Sequence, residues 1–142
     1  MEVFLVHMGG PFWQHKDEGA WSMPKGEFES EPPLEAAIRE FKEETGLVPE
    51  GKFLEMSPVR QSSGKTIFPF ALEWDCDASK VKSNTFNMEW PKGSGLMRDF
   101  PEIDRAAWLS LQEASTKLVK GQVPILDQLR TIVGASIPQE PL

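Results

Sequence analysis

The chain has one cysteine, Cys76, among 142 residues. No intrachain disulfide can form, and a reducing, intracellular setting is the default expectation. With no histidine near it in sequence, Cys76 reads as a small, half-buried hydrophobe rather than a nucleophile. No run approaches the roughly 18 apolar residues of a membrane span, and no signal peptide leads the chain. A cytoplasmic protein without a membrane partner is expected. Basic residues are also in deficit, 15 Lys and Arg against 22 Asp and Glu, for a formal charge of −7. That balance argues against gripping long nucleic acid through a basic face. Small phosphorylated ligands remain compatible, because a bound metal can locally reverse the field. Internal repeats, low-complexity tracts and an interdomain linker are all lacking. One domain over residues 1–135 with a frayed tail over 136–142 is therefore expected.

What the chain does have is the run Arg39-Glu40-Phe41-Lys42-Glu43-Glu44-Thr45-Gly46-Leu47, with Glu31 upstream. At roughly 100° per residue, Glu40, Glu43 and Glu44 converge on one strip of a helix. Like charges so placed repel, so a cation should offset them. Hard divalent ions such as Mg²⁺ or Mn²⁺ favour carboxylate and water oxygens. Arg39 is four residues from both Glu35 and Glu43 and can hold them in place. Ser30 is the candidate N-cap, with Pro32 and Pro33 tolerated in the first turn. Gly46 is the expected C-terminal stop, with Pro49 beyond it. Leu34, Ala37, Ile38, Phe41 and Thr45 form the expected buried stripe, well around the helix from the acids. A solvated amphipathic helix laced with ion pairs is the bland alternative, and it does not account for three acids on one strip.

The remaining pattern suggests strands over residues 2–7, 52–56, 66–74, 85–90 and 106–109. Gln61 to Lys65 reads as a turn, and Pro91 to Gly95 as a flexible loop. Ser110 and Glu113 form a capping box opening a helix to about Lys120. Pro124 starts a last helix that turns Ile125, Leu126, Leu129, Ile132 and Val133 inward. This order implies an α/β or α+β fold, a mixed β-sheet sandwiched between helices.

From Glu31 to Leu47 the chain resembles the Nudix hydrolase family, whose signature is G-x5-E-x7-R-E-U-x-E-E-x-G-U, with U a bulky aliphatic residue. Glu31, Arg39, Glu40, Glu43, Glu44, Gly46 and Leu47 match, and Phe41 stands at the first U. The upstream glycine departs from the pattern: four residues separate Gly26 from Glu31, and Lys25 occupies the expected glycine position. Trp21-Ser22-Met23-Pro24-Lys25-Gly26 looks like the W-x-x-P-K-G segment of one Nudix branch, so the loop is read as one residue short. More softly, the resemblance extends over roughly residues 2–129. Relatives usually carry a further N-terminal strand, which implies a sheet that is either short by one strand or completed by a second copy, a possible homodimer.

The resemblance implies a Mg²⁺-dependent or Mn²⁺-dependent pyrophosphohydrolase acting on a nucleoside diphosphate linked to another group. The W-x-x-P-K-G segment leans towards nucleoside triphosphates or dinucleoside polyphosphates. Glu40, Glu43 and Glu44, with the carbonyl of Gly26, would hold metal, and Glu43 or a loop acid would be the base. Arg39 and Glu31 would brace the set from behind. Lys25 could meet a phosphate, with Arg60 and Lys65 as weaker candidates, and Glu102 is the candidate loop acid. Phe12, Trp13, Trp21 and Trp90 could offer rings to a nucleobase. His7 and His15 are given no catalytic role. A Nudix-like sensor that binds nucleotide without turnover is the alternative from another class.

Overall fold

The structure, a computed structural model, describes residues 1–25 and 31–136. The strands and α-helices among the described residues are β1 (Glu2–Met8), β2 (Trp21–Ser22), α1 (Pro33–Thr45), β3 (Phe53–Glu55), β4 (Val59–Arg60), β5 (Thr66–Ile67), β6 (Phe70–Leu72), β7 (Thr85–Glu89), β8 (Met97–Pro101), β9 (Ile103–Ser110), α2 (Leu111–Lys117) and α3 (Val123–Ser136). The tail residues 137–142 and the expected N-cap Ser30 lie outside the described residues.

At the centre, β1 pairs antiparallel with β2 on one side and β9 on the other, with Phe4 opposite Trp108 and Leu5 opposite Ala107. Side chains alternate across this sheet, so each face meets a different layer. On one face Leu5, Trp21 and Leu109 pack with Ala114, Leu118 and Leu126 from the α2 and α3 side. On the other, Phe4 stacks with Trp108 at 5.5 Å and with Phe41 of α1 at 6.1 Å, and Phe41 meets Trp74 at 5.7 Å. Helices thus cover both faces, the α+β layering that the pattern implies. Among the described residues, no helix is long and apolar enough to cross a membrane.

Several boundaries differ from the sequence pattern for identifiable reasons. The run over residues 66–74 is broken at Pro69, which has no N–H to donate. β5 therefore pairs with β4 across the Gln61 to Lys65 turn, and β6 pairs instead with β3. Pro91 to Gly95 closes a hairpin rather than a free loop, because β8 returns alongside β7 with Phe86 opposite Phe100. β8 itself went unforeseen, since Met97-Arg98-Asp99-Phe100-Pro101 lacks β-branched residues. α2 stops at Lys117 instead of Lys120, as Leu118 forms a bridge to Trp21 and the Val119 N–H donates to the Trp21 carbonyl at 2.8 Å.

α1 is the carrier of the acids. It opens at Pro32 and Pro33 with no side-chain cap and closes at Gly46, whose φ of 75° suits glycine and whose N–H donates to the Lys42 carbonyl at 2.8 Å. Ala36 and Thr45 are its fully buried residues, whereas Leu34, Ala37, Ile38 and Phe41 are only half-buried. Ile38 in particular faces an open groove that it shares with Glu35 and Lys42.

Candidate active site

Three acids of α1 look into a cleft of about 280 Å³ lined by Lys25, Glu40, Glu43, Glu44, Asn84 and Glu102. Three parts of the chain converge there: the segment after β2, one strip of α1, and the cleft end of the β7 and β8 ribbon. The third is fixed by pairing, because the Glu102 N–H donates to the Asn84 carbonyl at 2.9 Å and the Glu102 carbonyl accepts the Gly9 N–H at 2.9 Å. Gly9 admits that approach only because it lacks a side chain. A Cβ there would stand 2.1 Å from the Pro101 carbonyl oxygen.

Behind the cleft, Arg39 organises the acids. Its Nε and Nη2 donate to the two Glu31 oxygens at 3.0 and 2.6 Å, and its Nη1 donates to Glu40 Oε1 at 2.8 Å and to Glu43 Oε2 at 3.3 Å. Of the two contacts that helical spacing predicts, the one with Glu43 forms, while Glu35 lines an outer groove. That with Glu31 closes from eight residues away and is the shorter. Glu31, chiefly, raises the guanidinium's already high pKa, so the brace stays charged.

Glu44 is the electrostatically unusual member. Burial pushes its pKa up to about 7, and the nearby charges of Glu102 and Glu40 add to the rise. The Lys25 backbone N–H, donating to Glu44 Oε2 at 2.8 Å, pulls the other way. A buried carboxylate held beside two further acids is short of positive charge, which is the condition that a bound dication relieves. Among the described residues, no three acidic, cysteine or histidine side chains form a ready-made ligand shell. Arg39 draws Glu40 and Glu43 onto itself, and Glu44 turns to Lys25. The donor set nevertheless fits a hard cation of the Mg²⁺ kind, which commonly takes only one or two carboxylates and completes its shell with water and phosphate oxygens.

The other sequence candidates fall into place with two corrections. Trp21 is not a base platform: it is 5% exposed in the core, its indole N–H donates to Asp17 Oδ1 at 2.8 Å, and its ring meets the edge of His7. Arg60 sits on the exposed β4 and β5 hairpin and does not line the cleft. Phe12 is 56% exposed and meets Trp90 edge-on at 5.3 Å, at the far end of the β7 and β8 ribbon. Trp13 lies in the same loop beneath the Lys16 ammonium at 5.0 Å. Gly26, the expected carbonyl ligand, lies outside the described residues. Burial, with Asp75 and Asp77 adding to it, pushes the Cys76 thiol up, consistent with a structural thiol.

Asn84 lines the cleft and was missed. Pairing β7 with β8 in sequence would have set it opposite Glu102. His7 also proved structural, being fully buried with Nδ1 2.7 Å from Asp104 Oδ1 and Nε2 against the Lys16 carbonyl.

The NUDIX domain family pattern matches residues 1–129. Among solved structures, a C. elegans Ap4A hydrolase captured as a binary complex superposes with a TM-score of 0.61 at 18% identity, over 94% of this chain and 88% of that one. The solution structure of the E. coli ORF135 protein gives 0.57 at 23% identity, over 97% and 86%. These two likenesses are of fold. No curated protein matches the chain. The match over nearly the whole chain settles the family: the chain belongs to the Nudix domain family.

Proposed function

We propose that this chain hydrolyses a diphosphate bond in a nucleoside diphosphate linked to another group, with nucleoside triphosphates and dinucleoside polyphosphates as the leading substrates and Mg²⁺ or Mn²⁺ as the cofactor. The observation that carries the reading is the convergence of Glu40, Glu43 and Glu44 with Glu102 and Lys25 on one cleft, with Arg39 and Glu31 locked behind it.

In this reading Glu40, Glu43 and Glu44 hold the cation. When bound, it neutralises the phosphate oxygens that gain charge as the bond breaks and lowers the pKa of a coordinated water. Arg39 keeps Glu40 and Glu43 at fixed positions, which matters because misplaced ligands lose rate steeply. Glu102 approaches from the opposite side of the cleft, on backbone fixed by Gly9 and Asn84, and acts as the base that takes the proton of the attacking water. Lys25 supplies the point charge that receives a phosphate oxygen. Glu43 is the alternative base, although its hydrogen bonds from Arg39 favour a holding role.

The test is phosphate or pyrophosphate release from a panel of nucleoside triphosphates, dinucleoside polyphosphates and nucleotide sugars, with Mg²⁺ and with chelator. Turnover of one class that stops on chelation is the expected result. Nucleotide binding without turnover of any class would overturn the proposal.

A further inference from the structure

The register of the β7 and β8 ribbon sorts its side chains onto two faces. Residues opposite one another in an antiparallel pair share a face and alternate along each strand. Phe86 with Phe100 and Met88 with Arg98 therefore lie on one side, while Asn87 and Asp99 lie on the other, joined by a 2.9 Å hydrogen bond. The ribbon's first pair, Asn84 and Glu102, belongs to the carboxylate cleft. One face of the ribbon thus leads straight out of the cleft.

Half of that face is already covered. The loop after β1 lies over the β7 side, with Gly10 close to the Phe86 ring and Phe12 on Trp90. The β8 side stays open, and it presents Phe100 and then Arg98. The Arg98 guanidinium carbon sits 5.7 Å from the Phe100 ring centroid, so the side chain leans back along the ribbon towards the cleft. Arg98 is exposed, and among the described residues no carboxylate forms an ion pair with it. Its neighbour Asp99 is turned to the opposite face and bonded to Asn87.

On a chain with a net charge of −7, Arg98 is an oriented cation with no carboxylate among the described residues neutralising it. Lys25 is the one basic residue lining the cleft among the described residues. Phosphates beyond the scissile diphosphate would carry further negative charge past the point that Lys25 and a cation can neutralise. Lying over Phe100, the guanidinium is two strand positions from Glu102, on the order of 7 Å. A polyphosphate chain leaving the cleft along this face meets its planar fork of donors there.

We propose that Arg98, held on Phe100, receives the phosphate groups beyond the scissile diphosphate and so favours polyphosphate substrates over nucleotide sugars. The inference rests on the reading that the cleft holds the scissile diphosphate.

The test compares wild type with Arg98→Gln and Phe100→Leu on diadenosine tetraphosphate and on UDP-glucose. Arg98→Gln is expected to lower kcat/KM for the tetraphosphate roughly tenfold or more, mostly through KM, and to leave the nucleotide sugar within about twofold. Phe100→Leu should show a smaller loss on the tetraphosphate alone. Equal losses on both substrates, or no loss on either, would overturn the proposal. If wild type turns over neither substrate, the functional reading fails first. Binding of inorganic tripolyphosphate in calcium then decides on Arg98: weaker binding by Arg98→Gln supports it, and equal binding overturns it.

Discussion

Arg39 clasps Glu31 at two points, Nη2 to Oε1 at 2.6 Å and Nε to Oε2 at 3.0 Å, across eight residues of sequence. The same guanidinium reaches Glu40 and Glu43 with its remaining nitrogen, so one side chain fixes the start of the acidic segment and two cleft acids together. Lysine carries the charge but not the fork. Arg39→Lys should fold normally by circular dichroism yet lose turnover roughly 10- to 100-fold, as supporting residues around metal ligands typically do. Activity within about twofold of wild type would show that the clasp is ornamental.

Glu44 gives the metal-free protein a pH dependence of known sign. Its folded pKa of about 7 lies above the ordinary carboxylate value, so the folded state holds a proton that the unfolded chain gives up. The stability this contributes is full below the unfolded pKa near 4.5 and is lost as pH rises through about 7. Thermal scans in chelator should show wild type losing stability across that window relative to Glu44→Gln, and added Mg²⁺ should restore it at pH 8. Parallel profiles for the two proteins would contradict the assignment.

Gly9 permits the approach of the Pro101 and Glu102 backbone. Gly9→Ala places a methyl 2.1 Å from the Pro101 carbonyl oxygen, so the strand or the ribbon must move. We expect a loss of about 1–3 kcal/mol in urea denaturation, accompanied by reduced turnover as Glu102 shifts. Unchanged stability would mean that the ribbon yields freely.

The two aromatic residues Trp21 and Phe12 should separate cleanly. Truncating the buried Trp21 to alanine should cost about 3–5 kcal/mol, whereas Phe12→Ala, at an exposed position, should stay within about 0.5 kcal/mol. Urea midpoints measure both, and comparable losses would place Phe12 in the core.

The acids of α1 were legible in the sequence because helical spacing alone brings Glu40, Glu43 and Glu44 onto one strip, whereas the clasp of Arg39 on Glu31 was implied only by the family resemblance. The same local logic located Gly46 and the Ser110 and Glu113 capping box, which the structure closes with reciprocal hydrogen bonds. What sequence could not supply was set by pairing across distance. Asn84 and Arg98 gain their places only through the β7 and β8 register, and β8 has too little β-branched character to announce itself. Trp21 misled for a related reason: its loop-like neighbourhood hid a two-residue strand held against β1. Arg60 was chosen for its charge, which carries no information about where a hairpin points.

The most direct measurement is kcat in Mg²⁺ for Glu40→Gln, Glu43→Gln and Glu44→Gln set beside Glu35→Gln, an acid on the same helix that faces the outer groove instead of the cleft. Each cleft variant is expected to fall by on the order of 100-fold or more and Glu35→Gln to stay within about twofold, since only the former would touch the cation and substrate. Near-normal turnover in the three cleft variants, or an equal loss in Glu35→Gln, would contradict that expectation.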